Sequence, residues 1–201
     1  MGITFKIEGL KDVYAAFEQL ADEIGDKKAQ SKILIPAARE AMQPVLNQAV
    51  SNAPVDTGGL RLSLQVEARR PNKRDRRSKY ITESDTVIAT VTTASGKKLK
   101  AMSEGKGLLK ARRKLAKLGV TDTKNFMGIQ SDARAMAQEF GTARNAAQPF
   151  LRPAMEAQSQ TVAKRIGEVL GRRMNQYKAK QKWQNLVQRL VINTKQTRKI
   201  F

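Results

Sequence analysis

Two prolines, Pro149 and Pro153, constrain the backbone of this chain more than any other pair of residues. Pro149 forces the residue before it into an extended conformation. Pro153 suits the first turn of a helix, where an N–H would lack a partner. A helix is therefore predicted to begin near Arg152. Phe150 and Leu151 are apolar residues between the prolines, so they are predicted to fill the core where that helix joins the rest of the fold.

A short apolar segment before the prolines is predicted to be a strand-like element that ends at Gly141. Glycine tolerates the positive φ that a sharp stop requires. The apolar residues of this segment are Ala135, Met136, Ala137 and Phe140. On its residues alone, the stretch that links this element to the following helix is structural.

The chain has 201 residues and a mass of 22.3 kDa, which fits one domain with extensions better than two full domains. It contains no histidine and no cysteine, which excludes imidazole and thiolate metal ligands, His or Cys catalysis, and disulfide bonds. No apolar run approaches the ~20 residues that span a membrane. Met1–Leu10 lacks the layout of a signal peptide. We therefore expect a protein of a reducing cytoplasm, with no cofactor and no membrane partner.

The net charge of +20 is concentrated in two segments. Residues 66–118 hold 16 basic and 5 acidic side chains, and residues 164–201 hold 11 and 1, whereas the remaining chain is close to neutral. Localised basic charge favours a polyanionic neighbour, either nucleic acid or an acidic protein surface. A charge run that only keeps an extension soluble is the alternative interpretation.

The first 52 residues are predicted to form a strand and two helices. Period-2 alternation over residues 3–7 predicts a half-buried strand. Helical spacing predicts one helix over residues 13–24 that ends at Gly25, and a second helix over residues 29–52. Pro44 is predicted to kink the second helix, because its ring removes one hydrogen bond.

Two strands are predicted in the middle of the chain. Residues 60–68 alternate apolar and polar side chains, and residues 85–94 are rich in β-branched side chains. They are predicted to form a small antiparallel sheet packed against two or three helices, which is an α+β fold. Residues 69–77, between the strands, are too polar for the core and are predicted to be a mobile loop.

Two basic insertions and a long helical arm complete the prediction. Residues 70–84 and 96–131 are expected to be poorly ordered in the isolated subunit, although the second contains a short basic amphipathic helix that ends at Gly119. The predicted domain is residues 1–175, and residues 176–201 are an arm for subunit or partner contacts. Apolar residues of this arm at helical spacing are Trp183, Leu186, Val187, Leu190 and Val191.

Three patterns associated with catalysis or metal binding lack the context that the chemistry requires. Asp56-Thr57-Gly58 matches the triplet of aspartic proteases, but it follows a predicted helix where that chemistry needs a buried strand, and glycine-rich flaps are missing. Ser103 and Lys106 match Ser-x-x-Lys without its companion motifs. The acidic residues at 22–26 lie at a helix end without an oxygen-ligand loop. The sequence therefore predicts neither an active site nor a metal site.

Three separated motifs occur in a fixed order along the chain. They are Ala-Pro-x-Asp-Thr-Gly-x-Leu-Arg at residues 53–61, Glu-Phe-Gly-Thr at 139–142 and Gln-Pro-Phe-Leu-Arg-Pro-Ala at 148–154. In this order, with the predicted helices and strands between them, the chain resembles the neck and tail-completion family of tailed bacteriophages. The motif residues are Pro54, Asp56, Thr57, Gly58, Leu60, Arg61, Glu139, Phe140, Gly141, Thr142, Pro149, Phe150, Arg152 and Pro153.

The resemblance implies a structural virion protein of the phage neck and no enzymatic activity. Such a protein is a head–tail connector: it forms a ring that joins the head, through the portal or adaptor, to the tail and lets DNA pass. The implied partners include further copies of the chain in a ring, with a hexamer favoured over a dodecamer. The other implied partners are the portal or adaptor protein and the tail-terminator or tail-tube protein. Assembly is expected in the cytoplasm of the bacterial host.

The basic segments leave an alternative open, a nucleic-acid-binding protein without sequence specificity. If the ring encircles DNA, the insertions are expected to reach DNA in the lumen or an acidic partner ring. DNA is favoured for the insertions, and a protein partner is favoured for the arm. The candidate contact residues are Arg69, Arg70, Lys73, Arg74, Arg76, Arg77, Lys110, Arg112, Arg113 and Lys114.

Overall fold

A computed structural model describes residues 10–55, 58–79, 81–82, 86–120, 123–124, 126 and 133–197. Within these ranges the chain is mostly helical, with one two-stranded antiparallel sheet and a long C-terminal helix. The prediction of an α+β fold is therefore confirmed. The strand predicted at residues 3–7 lies outside the described residues.

Consecutive helical segments form the first part of the described chain. Gly25, with φ of 85°, turns the chain after the first helix, as the sequence predicted. The long second helix is interrupted at Met42, and Pro44 lies in the first turn after the interruption, where its missing N–H costs no hydrogen bond. The segments are α1 (Leu10–Ile24), α2 (Asp26–Ala29), a π-helical turn (Gln30–Leu34), α3 (Ile35–Ala41) and α4 (Gln43–Asn52).

The sheet pairs β1 (Leu64–Arg69) with β2 (Ile88–Thr93), in a register that joins Leu64 to Thr93 and Arg69 to Ile88. The first strand begins later than predicted, because Gly59–Ser63 forms a single helical turn, α5. In this turn the Ser63 hydroxyl donates to the Leu60 carbonyl at 2.7 Å. The prediction of strand is therefore wrong for residues 60–63, although their leucines alternate with polar residues.

The second basic insertion forms a helical hairpin of α6 (Gly96–Ser103) and α7 (Gly105–Lys117). The expectation of poor order is wrong for residues 96–120, because apolar side chains at helical spacing close a small core of their own with Leu62. Leu115 is fully buried there. Gly119, with φ of 78°, follows the hairpin at the predicted position.

The segment predicted as strand-like before Gly141 is instead a helix, α8 (Ala133–Phe140). Its burial has helical periodicity, since Ala135 and Glu139 are buried while Met136 and Phe140 are each 62% exposed. Burial along this segment therefore repeats about every 3.6 residues, as in a helix, and not every second residue, as in a strand. Gly141, with φ of 77°, ends the element as predicted.

The last helix, α9 (Leu151–Thr197), begins one residue before the predicted start and continues for 47 residues. At about 1.5 Å per residue it is roughly 70 Å long. It packs against α1, the π-helical turn, α3 and α4. Neither α9 nor any other described helix is long and apolar enough to cross a membrane.

Among the described residues there are three hydrophobic clusters, and two of them share α9. The first joins α1, α2 and α3 to Val169, Leu170 and Met174, with Tyr177 at its edge. The second joins α4 and β1 to Phe150 and Ala154 at the start of the helix. No side chain described beyond Tyr177 belongs to a cluster. From Leu151 to Tyr177 the helix is thus the spine of the described core.

Replacement of Phe150 by alanine is expected to lower the free energy of unfolding by about 3–5 kcal/mol, because a fully buried ring leaves a cavity. Thermal or denaturant unfolding measures the loss. Phe140→Ala is the matched control, since this ring is 62% exposed and its removal should cost far less. Equal stability of the two variants would contradict the burial of Phe150 at the joint.

Candidate functional site

The carboxylate of Glu139 holds the first turn of α9. Its Oε2 accepts hydrogen bonds from the N–H groups of Phe150 at 2.8 Å and Leu151 at 2.9 Å, and its Oε1 accepts one from the N–H of Arg152 at 3.1 Å. Pro153, the next residue, has no N–H to satisfy. A helix start leaves such donors without intrahelical partners, and a negative charge there is stabilising. One buried side chain, 3% exposed, therefore caps the helix.

Arg152 closes the same joint from the other side. Its Nε donates to Glu139 Oε1 at 3.0 Å, and its Nη2 donates to the Glu139 backbone carbonyl at 2.9 Å. That carbonyl belongs to the last turn of α8, where a positive charge is stabilising. The guanidinium also lies 5.3 Å from the centre of the Phe140 ring. The end of α8 and the start of α9 are thus fastened by complementary charges.

The loop between the two helices depends on Gly141. A Cβ at this position would lie 2.9 Å from Ala147 N and 3.1 Å from Asn145 O, and φ is positive. The loop is closed by a hydrogen bond from Thr142 N to Asn145 O at 2.9 Å, and Thr142 Oγ1 accepts one from Asn145 N at 3.1 Å. Glycine and threonine of the second motif therefore shape the loop, while Pro149 is exposed at its end.

Arg61 of the first motif caps the C-terminal end of α4. Arg61 Nε donates to Ala53 O at 3.0 Å and its Nη2 donates to Ser51 O at 3.2 Å, so a cation satisfies carbonyls at a helix C-terminus. Gly58 has φ of 75°, and a Cβ there would overlap the side chain of Leu115. This glycine therefore seats the α6–α7 hairpin. Asp56 and Thr57 lie outside the described residues.

The structure brings segments of all three motifs to one place. Ala53, Phe150 and Ala154 belong to the second cluster, Leu60 packs against it, and Glu139 of the second motif accepts a hydrogen bond from the N–H of Phe150. At the same place, the end of α4 approaches the backbone at the start of α9. The motif residues that are described are therefore helix caps, turns and core contacts around the start of α9, with no arrangement for catalysis among them.

The electrostatics of Glu139 follow from its donors. Burial by itself raises the pKa of the carboxyl, but the N–H groups of Leu151, Phe150 and Arg152 and the Arg152 side chain outweigh it. The net effect holds the pKa of Glu139 below its ordinary value. Its charged form therefore stabilises the fold.

The candidate contact residues of the β1–β2 loop are partly engaged within the protein. Arg69 pairs with Glu67 at 2.9 Å, and its Nη2 donates to Asp75 Oδ1 at 2.9 Å. Hydrogen bonds from Arg69 and then from the N–H of Asn72 lower the pKa of Asp75 to about 2. Arg70 Nη2 donates to Lys27 O at 2.6 Å. The described part of the predicted mobile loop is thus a hydrogen-bonded turn.

The remaining candidate cations differ in their surroundings. Arg76 donates to Thr82 O at 2.8 Å, and Arg112 Nε donates to Phe126 O at 3.1 Å. The structure thus does not gather the ten candidate residues into one site. The other six are exposed side chains on the loop and on α7, namely Lys73, Arg74, Arg77, Lys110, Arg113 and Lys114.

An ion-pair cluster on α9 has no counterpart among the sequence predictions. Glu40 of α3 pairs with Arg172 and with Arg173, whose Nη2 lies 2.7 Å from Glu40 Oε2. The hydrogen bond from Arg173 is the largest cause that acts on Glu40, and the net effect lowers the pKa of its carboxyl. Adjacent arginines on a helix give no signal of which distant acid they meet. No group of acidic side chains in the described chain is arranged to hold a metal ion.

Glu139→Gln is expected to lower the free energy of unfolding at neutral pH by about 1–3 kcal/mol, because a buried acceptor for several N–H groups is weakened. The folded pKa of Glu139 is depressed, so its contribution is present above the unfolded pKa and is lost as pH falls through the folded pKa. The difference in Tm between wild type and variant should therefore narrow below about pH 4.5.

Glu156→Gln provides the control for this titration, since Glu156 is an exposed glutamate one turn further along α9. Its effect on Tm should be small at every pH. A difference between wild type and Glu139→Gln that stays constant from neutral to acidic pH would contradict the capping role of the charge.

Comparison with known proteins identifies the family. A family model described as "Bacteriophage HK97-gp10, putative tail-component" matches residues 12–141. The match runs from α1 through α8, so it includes the cap Glu139 and both basic insertions, and it ends before α9. No curated protein and no solved structure gives a significant match to the chain. The resemblance indicated by the motifs is thereby confirmed: the chain belongs to the HK97-gp10-like family of bacteriophage tail components, a family with a structural role in the virion.

Proposed function

We propose that this tail component acts in the phage neck, where it forms a ring that joins the head to the tail and lets DNA pass. The observation that carries the proposal is the length of α9. The helix spans Leu151–Thr197, and its first half packs on its own domain, with Val169, Leu170 and Met174 buried there. Isolated helices are marginal in water, so a helix of 47 residues needs packing partners along its length, and we assign its C-terminal part to a neighbouring molecule.

The fixed direction of α9 supports a role in ring assembly. Glu139 and Arg152 fasten the start of the helix to α8, and Glu40 fastens its middle to α3 through Arg172 and Arg173. A closed ring requires every subunit to present its contact at the same angle. A helix held at two points along its length meets that requirement better than a hinged arm.

The arm is proposed to contact protein. Apolar residues recur in its sequence at helical spacing, from Trp183 to Val191, a pattern that favours a helix packed against another surface. We assign the surface that the arm contacts to a neighbouring subunit of the ring, and we favour a hexamer over a dodecamer. The portal or adaptor on one side, and the tail-terminator or tail-tube protein on the other, are the proposed neighbours of the ring.

A surface beside the joint is a second candidate for subunit contact. Met136 and Phe140 of α8 and Met155 of α9 are large apolar residues that are 62%, 62% and 47% exposed. Arg152 lies over the Phe140 ring and connects the two helices. Methionine and aromatic residues with an arginine are enriched at protein interfaces.

The alternative function is that of a free-standing nucleic-acid-binding protein. It is favoured by the net charge of +20 and by the exposed cations of the hairpin and the β1–β2 loop. Such a protein would bind DNA tightly as an isolated monomer. A neck protein would instead remain associated with purified virions.

Labelling the protein in virions tests the location. Gold-coupled antibody is expected at the head–tail junction in electron micrographs. Label at the distal end of the tail would contradict the neck assignment but keep the family role, whereas absence from purified virions would favour the alternative function.

Leu186→Gln with Leu190→Gln in the arm is expected to give phage particles whose heads and tails are not joined, because the variant removes the apolar surface that meets the neighbour. The thermal stability of the purified variant should stay near that of wild type, because the proposal assigns these leucines to a contact with a neighbouring molecule. Leu109→Gln is the control, a leucine that is 55% exposed on α7. Intact particles from the arm variant would contradict the role of the arm.

A further inference from the structure

Helix α7 presents one face of positive charge. Five basic residues recur at intervals of about one turn, with two of them adjacent: Lys106, Lys110, Arg113, Lys114 and Lys117. At 3.6 residues per turn they fall within an arc of about 100°. All five side chains are exposed. We call these five residues the basic face of α7.

The opposite side of the helix fixes the direction of this face. Ala111 and Leu115 are buried in the third cluster, and Leu108 and Leu118 pack at its edge. Arg112, which lies outside the arc, is turned toward the protein by its hydrogen bond to the backbone carbonyl of residue 126. The hairpin therefore cannot rotate its cations inward without exposing its own core.

The charge of the basic face is not neutralised by the described part of the protein. None of the five side chains forms an ion pair or a side-chain hydrogen bond with a described residue. Glu104, just before α7, is the only acidic residue between positions 96 and 117. Between Arg69 and Arg77, by contrast, Arg69 is paired with Glu67 and Asp75, and Arg70 and Arg76 donate to backbone carbonyls, which leaves Lys73, Arg74 and Arg77 as the exposed cations. All five cations of the basic face are thus exposed without a described partner, whereas three of the six candidate cations between residues 69 and 77 are engaged within the protein.

The chemistry of the face fits phosphates better than an acidic protein surface. Its length from Lys106 to Lys117 is about 16 Å at 1.5 Å per residue, which matches roughly five phosphates of one strand at 3.4 Å spacing. No aromatic residue lies within Gly105–Lys117 to anchor a protein interface or to stack on bases. No asparagine or glutamine lies there to read base edges.

We infer that the basic face of α7 is the surface through which this protein contacts duplex DNA, by its phosphates and without sequence preference. The β1–β2 loop, which the sequence alone placed beside it as an equal candidate, has a minor part in this contact. The inference deepens the proposed function, on which it rests for the source of the DNA: the duplex that passes through the neck. The DNA contact itself is a property of the purified chain and is measured without particles.

Two triple variants of the full chain test the inference. The first replaces Lys110, Arg113 and Lys117 of the basic face by glutamine, which is a good helix former. The second replaces Lys73, Arg74 and Arg77 of the loop by glutamine and removes the same number of charges. Binding to short fluorescent duplexes of two unrelated sequences is measured over a series of salt concentrations, and circular dichroism and thermal melting check the fold.

The face variant is expected to bind at least about tenfold more weakly at 0.1 M salt, and its salt slope should fall by up to about 0.9 for each phosphate that it no longer neutralises. The loop variant should stay within a few-fold of wild type, and the two sequences should bind equally. Equal weakening by both triple variants would overturn the inference, because net charge alone would then account for binding.

Three other results would also overturn it: no binding by wild type, stronger weakening by the loop variant, or a preference for one sequence. None of these results bears on where the protein lies in the particle. Failure of the DNA contact is therefore distinguishable from failure of the neck assignment, which gold labelling decides.

Discussion

The fold of this chain depends on one buried carboxylate at the start of its longest helix. The first N–H groups of this 47-residue helix have no preceding turn to provide acceptors. Burial raises the free-energy cost of leaving these N–H groups without hydrogen bonds. Glu139 accepts from three consecutive N–H groups, and Pro153 removes the next donor. Because Glu139 itself lies in the last turn of α8, the same bonds set the angle between α8 and α9. Phe150 then fills the core directly beside the cap.

The remaining architecture follows from where that cap directs α9. The helix passes over α4 and α3 and meets Glu40, whose carboxylate binds Arg172 and Arg173. At the C-terminal end of α4, Arg61 binds carbonyls that the helix leaves free. Charged side chains at helix ends thus hold a domain whose sheet has only two described strands. Such a domain can present a long helix in a fixed direction, which suits a structural component of a phage tail.

The sequence predicted those parts of the fold that local chemistry decides. Gly25, Pro44, Gly119 and Gly141 act at the expected positions, because φ and missing N–H groups are properties of single residues. Prediction failed where two periods compete over a few residues, as in α5 and α8, and where a basic segment hides a small core, as in the α6–α7 hairpin. The pairing of Glu40 with the arginines of α9 is a long-range contact without a local signal. The motifs can be recognised in the sequence, but only the structure shows that Glu139 and Arg61 of these motifs cap helices.

Amide hydrogen exchange at Phe150, Leu151 and Arg152 tests the central role of Glu139 most directly. First-turn amides of an ordinary helix lack intrahelical partners and exchange readily. Here the three amides are predicted to be strongly protected in the wild-type protein and to lose that protection together in Glu139→Gln, while amides in the middle of α9 keep theirs. Exchange of these amides in wild type as fast as in an unfolded chain would contradict the capping role of Glu139.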